Sequence, residues 1–127
     1  MTMKRILLVE DDLQFNAFVK QALESDESND FQVTSVLDGA EAASIIKAEP
    51  AFDLLITDLL LPEKDGIRLI IETKAAQPNL QIIAMSGGVS EHSHDFLQAA
   101  AALGASSILE KPFTSEQLTK AVEEYLG

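Results

Sequence analysis

The sequence predicts an α/β fold, one sheet of parallel strands with helices on both faces. Three observations predict it. Five short apolar runs alternate with segments of helical spacing along the whole chain. Polar and charged residues gather directly behind the apolar runs, where open parallel sheets bind ligands. At 127 residues the chain has the length of one domain that buries its own core. Residues 1–127 are therefore read as a single domain.

The elements follow in order. Residues 5–9 (RILLV) form a continuous apolar run, as in a strand buried on both faces. Phe15, Phe18, Val19, Ala22 and Leu23 then recur at helical spacing, and the polar stretch 25–30 (SDESND) ends that helix. FQVTSVL, residues 31–37, alternates and reads as the second strand. Asp38 and Glu41 make a capping-box pattern. They open a helix that presents Ala42, Ile45 and Ile46 and stops at Pro50. DLLIT (53–57) is the third strand, with Asp58 at its end. A loop with Pro62 and Gly66 follows, then a helix with Ile67, Ile70 and Ile71. LQIIAMS (80–86) is the fourth strand, closed by Gly87 and Gly88. The next helix carries Phe96, Ala99, Ala100 and Leu103 and ends at Gly104, a C′ glycine. SSIL (106–109) is the fifth strand, followed by Lys111 and Pro112. Thr114 and Gln117 cap the last helix, whose stripe is Leu118, Ala121, Val122 and Tyr125. Periodicity alone leaves the strand order open.

Composition removes several classes of function. Hydrophobic residues make up 46% and charged residues 24%, the balance of a soluble globular domain. Cysteine is absent, so disulfides, thiolate zinc sites and iron–sulfur centres are excluded. No apolar run approaches the ~18 residues of a membrane span. The apolar start is too short for a signal peptide and runs into carboxylates, which makes a cytoplasmic location the expectation. A formal charge of −12 argues against unaided nucleic-acid binding. It suits a protein partner or a site that gathers cations.

The chemistry belongs at the carboxyl ends of the strands. Strand one ends in Glu10, Asp11 and Asp12, strand three in Asp58, strand four in Ser86, strand five in Glu110 and Lys111. Asp12 is read as a helix cap. Carboxylates from different strands repel at close range and call for a cation. Oxygen donors without His or Cys suit Mg²⁺, or Mn²⁺, better than zinc. A Lys and a Ser at the same edge supply the point charge and hydroxyl that a phosphoryl group wants, and an Asp can form an aspartyl phosphate. Each part alone has an ordinary explanation as a cap, loop or turn; their combination at four strand ends points to metal-assisted phosphoryl chemistry. His92 and His94 lie two apart and would not share a helix face, so no metal role is assigned to them. The acidic stretch 24–30 reads as a solvated loop. Phe15, Phe18, Phe52 and Phe96 read as packing.

At these residues the chain resembles the receiver domain of two-component response regulators (CheY-like). The motifs are ILLVEDD at 6–12, TDLLLPEKDG at 57–66, AMSGG at 84–88 and LEKPF at 109–113. The resemblance spans about residues 4–126. It implies a flavodoxin-like (βα)5 three-layer sandwich with a five-stranded parallel sheet in the order 2-1-3-4-5. It implies that Asp58 accepts a phosphoryl group from a histidine kinase or phosphotransfer protein, and that Lys111 pairs first with Asp58 and then with the phosphoryl oxygens. Ser86 would turn its hydroxyl toward the phosphoryl group. Asp11, Glu10, Asp58 and the backbone carbonyl of Leu60 would hold Mg²⁺. The Lys111–Pro112 bond is expected to be cis.

Some positions depart from the family. Ile108 stands where Tyr or Phe is common, and an aliphatic side chain cannot make the same aromatic swing. The loop at 25–30 is longer and more acidic than usual. Leu60 and Gly88, two after Asp58 and Ser86, cannot orient an attacking water, so slow self-dephosphorylation is expected. Three functions compete. The first is a phosphoryl-accepting switch whose output is a protein partner or a further domain. The second is a phosphorylation-independent interaction module. The third is a turnover phosphatase, disfavoured because Leu60 stands where a second acid/base carboxylate would be needed.

Overall fold

The computed structural model describes residues 3–48, 52–59, 61, 65–87 and 93–126. Strands and helices alternate: β1 Lys4–Val9, α1 Leu13–Glu24, β2 Phe31–Val36, α2 Gly39–Ala48, β3 Leu54–Asp58, α3 Gly66–Ala76, β4 Gln81–Ser86, α4 Ser93–Leu103, β5 Ser107–Glu110 and α5 Ser115–Leu126. All pairings are parallel, and the order is β2-β1-β3-β4-β5. This is the order implied by the resemblance.

The central strands are apolar throughout because both their faces are covered. Alternate residues feed opposite layers. Ile6, Leu8, Leu54, Ile56, Ile83 and Met85 pack with Val19 and Leu23 of α1 and Leu118 and Val122 of α5. Leu7, Val9, Leu55, Ile82 and Ala84 pack with Ala42 and Ile46 of α2, Leu69 and Ile70 of α3, and Ala100 of α4. Two helices cover one face and three the other, which is what keeps both layers dry.

The helix ends obey capping chemistry. Asp12 Oδ1 accepts the N–H groups of Gln14 and Phe15 at 3.0 and 3.1 Å. Asp38 Oδ1 accepts from the Glu41 N–H at 2.8 Å. Thr114 and Gln117 form a reciprocal capping box, 2.9 Å one way and 3.0 Å the other. Gly104 has φ +114°, and the N–H groups of Gly104 and Ala105 return to the carbonyls of Ala101 and Ala100, a Schellman close to α4. The acidic loop is an ordered turn: Asp26 accepts from the Ser28 N–H and the Asn29 side chain, and Asn29 also donates to Glu123 of α5.

Several sequence expectations shift. β3 and β5 each run one residue later than expected, which puts Asp58 and Glu110 inside the strands. Gly66 opens α3 instead of lying in a loop, because Asp65 caps the helix by accepting the Arg68 N–H at 2.8 Å. Ile71 is 48% exposed, since the buried stripe of α3 runs through Gly66, Leu69, Ile70 and Thr73. Leu37 and Leu103 are also exposed. Pro50, Pro62, Gly88 and His92, and the side chains of His94 and Phe96, lie outside the described residues.

Candidate functional site

Register brings the polar residues to one edge. Val9 lies opposite Thr57, so Glu10 and Asp58 are both one step on; Ser86 lies opposite Glu110, and Lys111 follows. The Lys111 N–H donates to the Ser86 carbonyl at 2.7 Å, extending the β4–β5 ladder to the lysine itself. The Lys111–Pro112 bond is cis.

Ligand-capable oxygens of Glu10, Asp11 and Asp58 all lie within 4.8 Å of one another. Glu10, Asp58 and Ser86 are buried, whereas Asp11 faces solvent. Lys111 bridges two of the carboxylates. Its Nζ donates to Asp58 Oδ2 at 2.7 Å and to Glu10 Oε1. The other Glu10 oxygen accepts the Asp12 N–H at 3.0 Å. Three carboxylates and one ammonium leave the site short of positive charge.

The environment raises the pKa of both Glu10 and Lys111, for different reasons. Burial pushes the Glu10 carboxyl up to about 7; hydrogen bonds from Lys111 and Asp12 oppose this, and the Asp58 charge adds to it. Burial disfavours the Lys111 charge, but hydrogen bonds to Asp58 and Glu10 outweigh it and raise its pKa above 10.5. The lysine therefore stays an ammonium at neutral pH.

Sequence reasoning named Glu10, Asp11, Asp58, Ser86 and Lys111, and all five stand at this edge. The expected carbonyl of Leu60 lies outside the described residues. Two supporting residues were missed. Buried Asn16 donates its side-chain amide to the carbonyls of Glu10 and Val36 at 3.0 and 3.3 Å, which pins the Glu10–Asp12 segment to the end of β2. Its signal was a polar residue at a stripe position of α1, in line with Val19 and Leu23. Phe15, read only as packing, also places its ring 4.5 Å from Lys111 Nζ.

Oxygen ligands of this number and spacing fit a hard divalent cation such as Mg²⁺. The lysine already shows that a positive charge is accommodated between Glu10 and Asp58. Gly66 completes the floor of the site. A Cβ there would stand 2.1 Å from the Asp58 carbonyl oxygen, so α3 begins hard against the end of β3.

The comparisons with known proteins agree with this fold. Residues 6–123 match the family model described as the response regulator receiver domain. The chain is 36% identical over 131 residues to the response regulator receiver protein CpdR of Brucella abortus, covering 98% of each chain. It is 30% identical over 123 residues to the probable chemotaxis protein CheY of Rhizobium etli, covering 97% of this chain and 92% of that protein. The high-resolution structure of chemotaxis response regulator CheY4 of Vibrio cholerae superposes with a TM-score of 0.82 at 27% identity, over 98% of this chain and 99% of that one. A family match that spans nearly the whole chain, together with full-length relatives 30–36% identical, leads to one conclusion: the chain belongs to the response regulator receiver domains of two-component signalling.

Proposed function

We propose that this chain accepts a phosphoryl group on Asp58 from the phosphohistidine of a histidine kinase or a phosphotransfer protein. The observation that carries this reading is the convergence of Asp58, Lys111 and the acidic pair Glu10 and Asp11 at one strand edge. In the transfer an Asp58 carboxylate oxygen bonds to phosphorus. The phosphorus–nitrogen bond breaks, and its electron pair returns to the donor imidazole. Lys111 already donates to Asp58 and is placed to pass to the phosphoryl oxygens. Ser86 closes the far side with its hydroxyl. Glu10, Asp11, Asp58 and the Leu60 carbonyl are the proposed ligands of Mg²⁺ (or Mn²⁺). When bound, the ion offsets charge that builds on the transferred group.

The proposed role is a signalling switch that assists its own phosphorylation, not a turnover enzyme. Its output would be a downstream protein or a further domain, in the cytoplasm. Nucleic acid and membrane are not proposed as direct partners, and among the described residues no helix is long and apolar enough to cross a membrane. One observation favours the second reading, an interaction module that works without phosphate. Ile108, at the usual aromatic position, is half-buried and packs into the α2–α3–α4 layer.

One experiment separates these. The protein is incubated with Mg²⁺ and acetyl phosphate, and its intact mass is recorded beside that of Asp58→Asn. A gain of one phosphoryl group in the native chain alone is expected. A native chain that gains none from acetyl phosphate or from any kinase, while still binding protein partners, would favour the interaction module.

A further inference from the structure

We propose that Phe15 is a positioning residue for Lys111: its ring holds the ammonium between Glu10 and Asp58 and so weakens the hold of a competing divalent cation on those carboxylates. This rests on the reading of Glu10, Asp11 and Asp58 as a divalent-cation site.

The geometry begins at the helix cap. Asp12 fixes the first turn of α1 by accepting the Phe15 N–H at 3.1 Å. That aims the Phe15 ring over the site, its centroid 4.5 Å from Lys111 Nζ. The ring is locked from behind. It meets Phe113 edge-on at 5.2 Å and 78°, and Phe18 at 5.6 Å, while Phe18 meets Phe113 at 6.3 Å. Phe113 lies two residues past the lysine; Phe15 and Phe18 follow the Glu10–Asp12 segment. The aromatic group thus ties the lysine's segment to the segment that carries Glu10 and Asp11.

The physics gives the ring a function beyond filling space. Two donors of the ammonium go to Glu10 and Asp58. The negative face of an aromatic ring attracts the same charge, and does so more strongly where water is excluded. The Lys111 side chain is only 17% exposed. An aliphatic side chain would occupy the volume without the quadrupole. Because ammonium and divalent cation seek the same carboxylates, whatever strengthens the lysine's hold weakens the metal's.

Mg²⁺ titration by calorimetry tests this in five proteins: native, Phe15→Leu, Lys111→Ala, the double variant, and Phe15→Tyr as the conservative control. Phe15→Leu is expected to tighten Mg²⁺ binding roughly three- to tenfold when Lys111 is present and to change nothing in the Lys111→Ala background. Phe15→Tyr keeps the ring and should bind like the native chain. Without metal, the ring-current shift of the Lys111 ε-methylene protons should vanish in Phe15→Leu and persist in Phe15→Tyr. Mg²⁺ affinity that ignores Phe15→Leu, or moves equally in both backgrounds, overturns the proposal while the cation site stands. No Mg²⁺ binding by the native chain overturns the cation reading itself, and the proposal with it.

Discussion

Gly66 and Asp58 touch through their backbones: the Gly66 N–H donates to the Leu59 carbonyl at 3.0 Å, and a Cβ on Gly66 would fall 2.1 Å from the Asp58 carbonyl oxygen. The first turn of α3 is therefore pressed onto the residue that ends β3. Backbone atoms cannot move aside as a side-chain tip can. Gly66→Ala should cost about 1–3 kcal/mol, as overpacking does, and should lower the yield of phosphorylated Asp58. Urea unfolding and intact mass measure the two effects. Native-like stability in the alanine variant would mean that α3 can retreat freely.

Asn16 fixes the Glu10–Asp12 segment through its side-chain amide. Asn16→Leu keeps the branched shape but removes the donor to the buried Glu10 carbonyl. A loss of about 1–3 kcal/mol is expected, together with weaker Mg²⁺ binding. Denaturation and titration on the same samples check it. A leucine variant as stable as the native chain would show that water replaces the amide.

The pH dependence follows from Glu10. The unfolded carboxyl releases its proton near the ordinary 4.5, the folded one near 7. Between these values the native state binds more protons, so this group makes stability fall as pH rises from about 4.5 to about 7. Lys111, raised from 10.5, contributes evenly through that window; its stabilisation is lost only as pH climbs through the higher folded value. In metal-free buffer the stability of the native chain minus that of Glu10→Gln should decline across the window. A difference that is level or rising would refute it.

Thr73 is buried in α3, and its hydroxyl has no hydrogen-bond partner among the described residues. Valine has the same branching and no polar atom to satisfy. Thr73→Val should gain up to about 1 kcal/mol by removing an unpaired hydroxyl from the core. Thermal melting reads the gain, and a loss would point to a hydrogen bond made through water.

Loss of phosphate should be slow. Leu60 and Gly88 bring no polar side chain to their positions two residues past Asp58 and Ser86. Leu60→Asn adds a group that can orient water and should speed Mg²⁺-dependent loss by roughly tenfold or more. Timed intact-mass measurement follows the decay. A native chain that loses phosphate as quickly as the variant would contradict the expectation.

Periodicity and capping chemistry act locally, and local signals survive in a sequence. The five apolar runs, the capping residues Asp12, Asp38 and Thr114, and the C′ role of Gly104 are legible for that reason. Polar residues after apolar runs also pointed to Glu10, Asp11, Asp58, Ser86 and Lys111, which the fold gathers at one edge. Strand order was not legible from periodicity; it came from resemblance to a family. The exposure of Ile71 was missed because one helical step decides whether an isoleucine faces the sheet or the solvent.

The sequence by itself determined which residues carry charge and which segments bury apolar surface, because both depend on neighbours within a turn or a strand. Only the tertiary structure decided that Lys111 reaches both Glu10 and Asp58, that Phe15 lies over its ammonium, and that Gly66 meets the Asp58 backbone. Those of Lys111 join residues far apart in the chain, and that of Gly66 depends on how α3 docks on the end of β3. Sheet register and helix packing set their distances, and no local pattern records them.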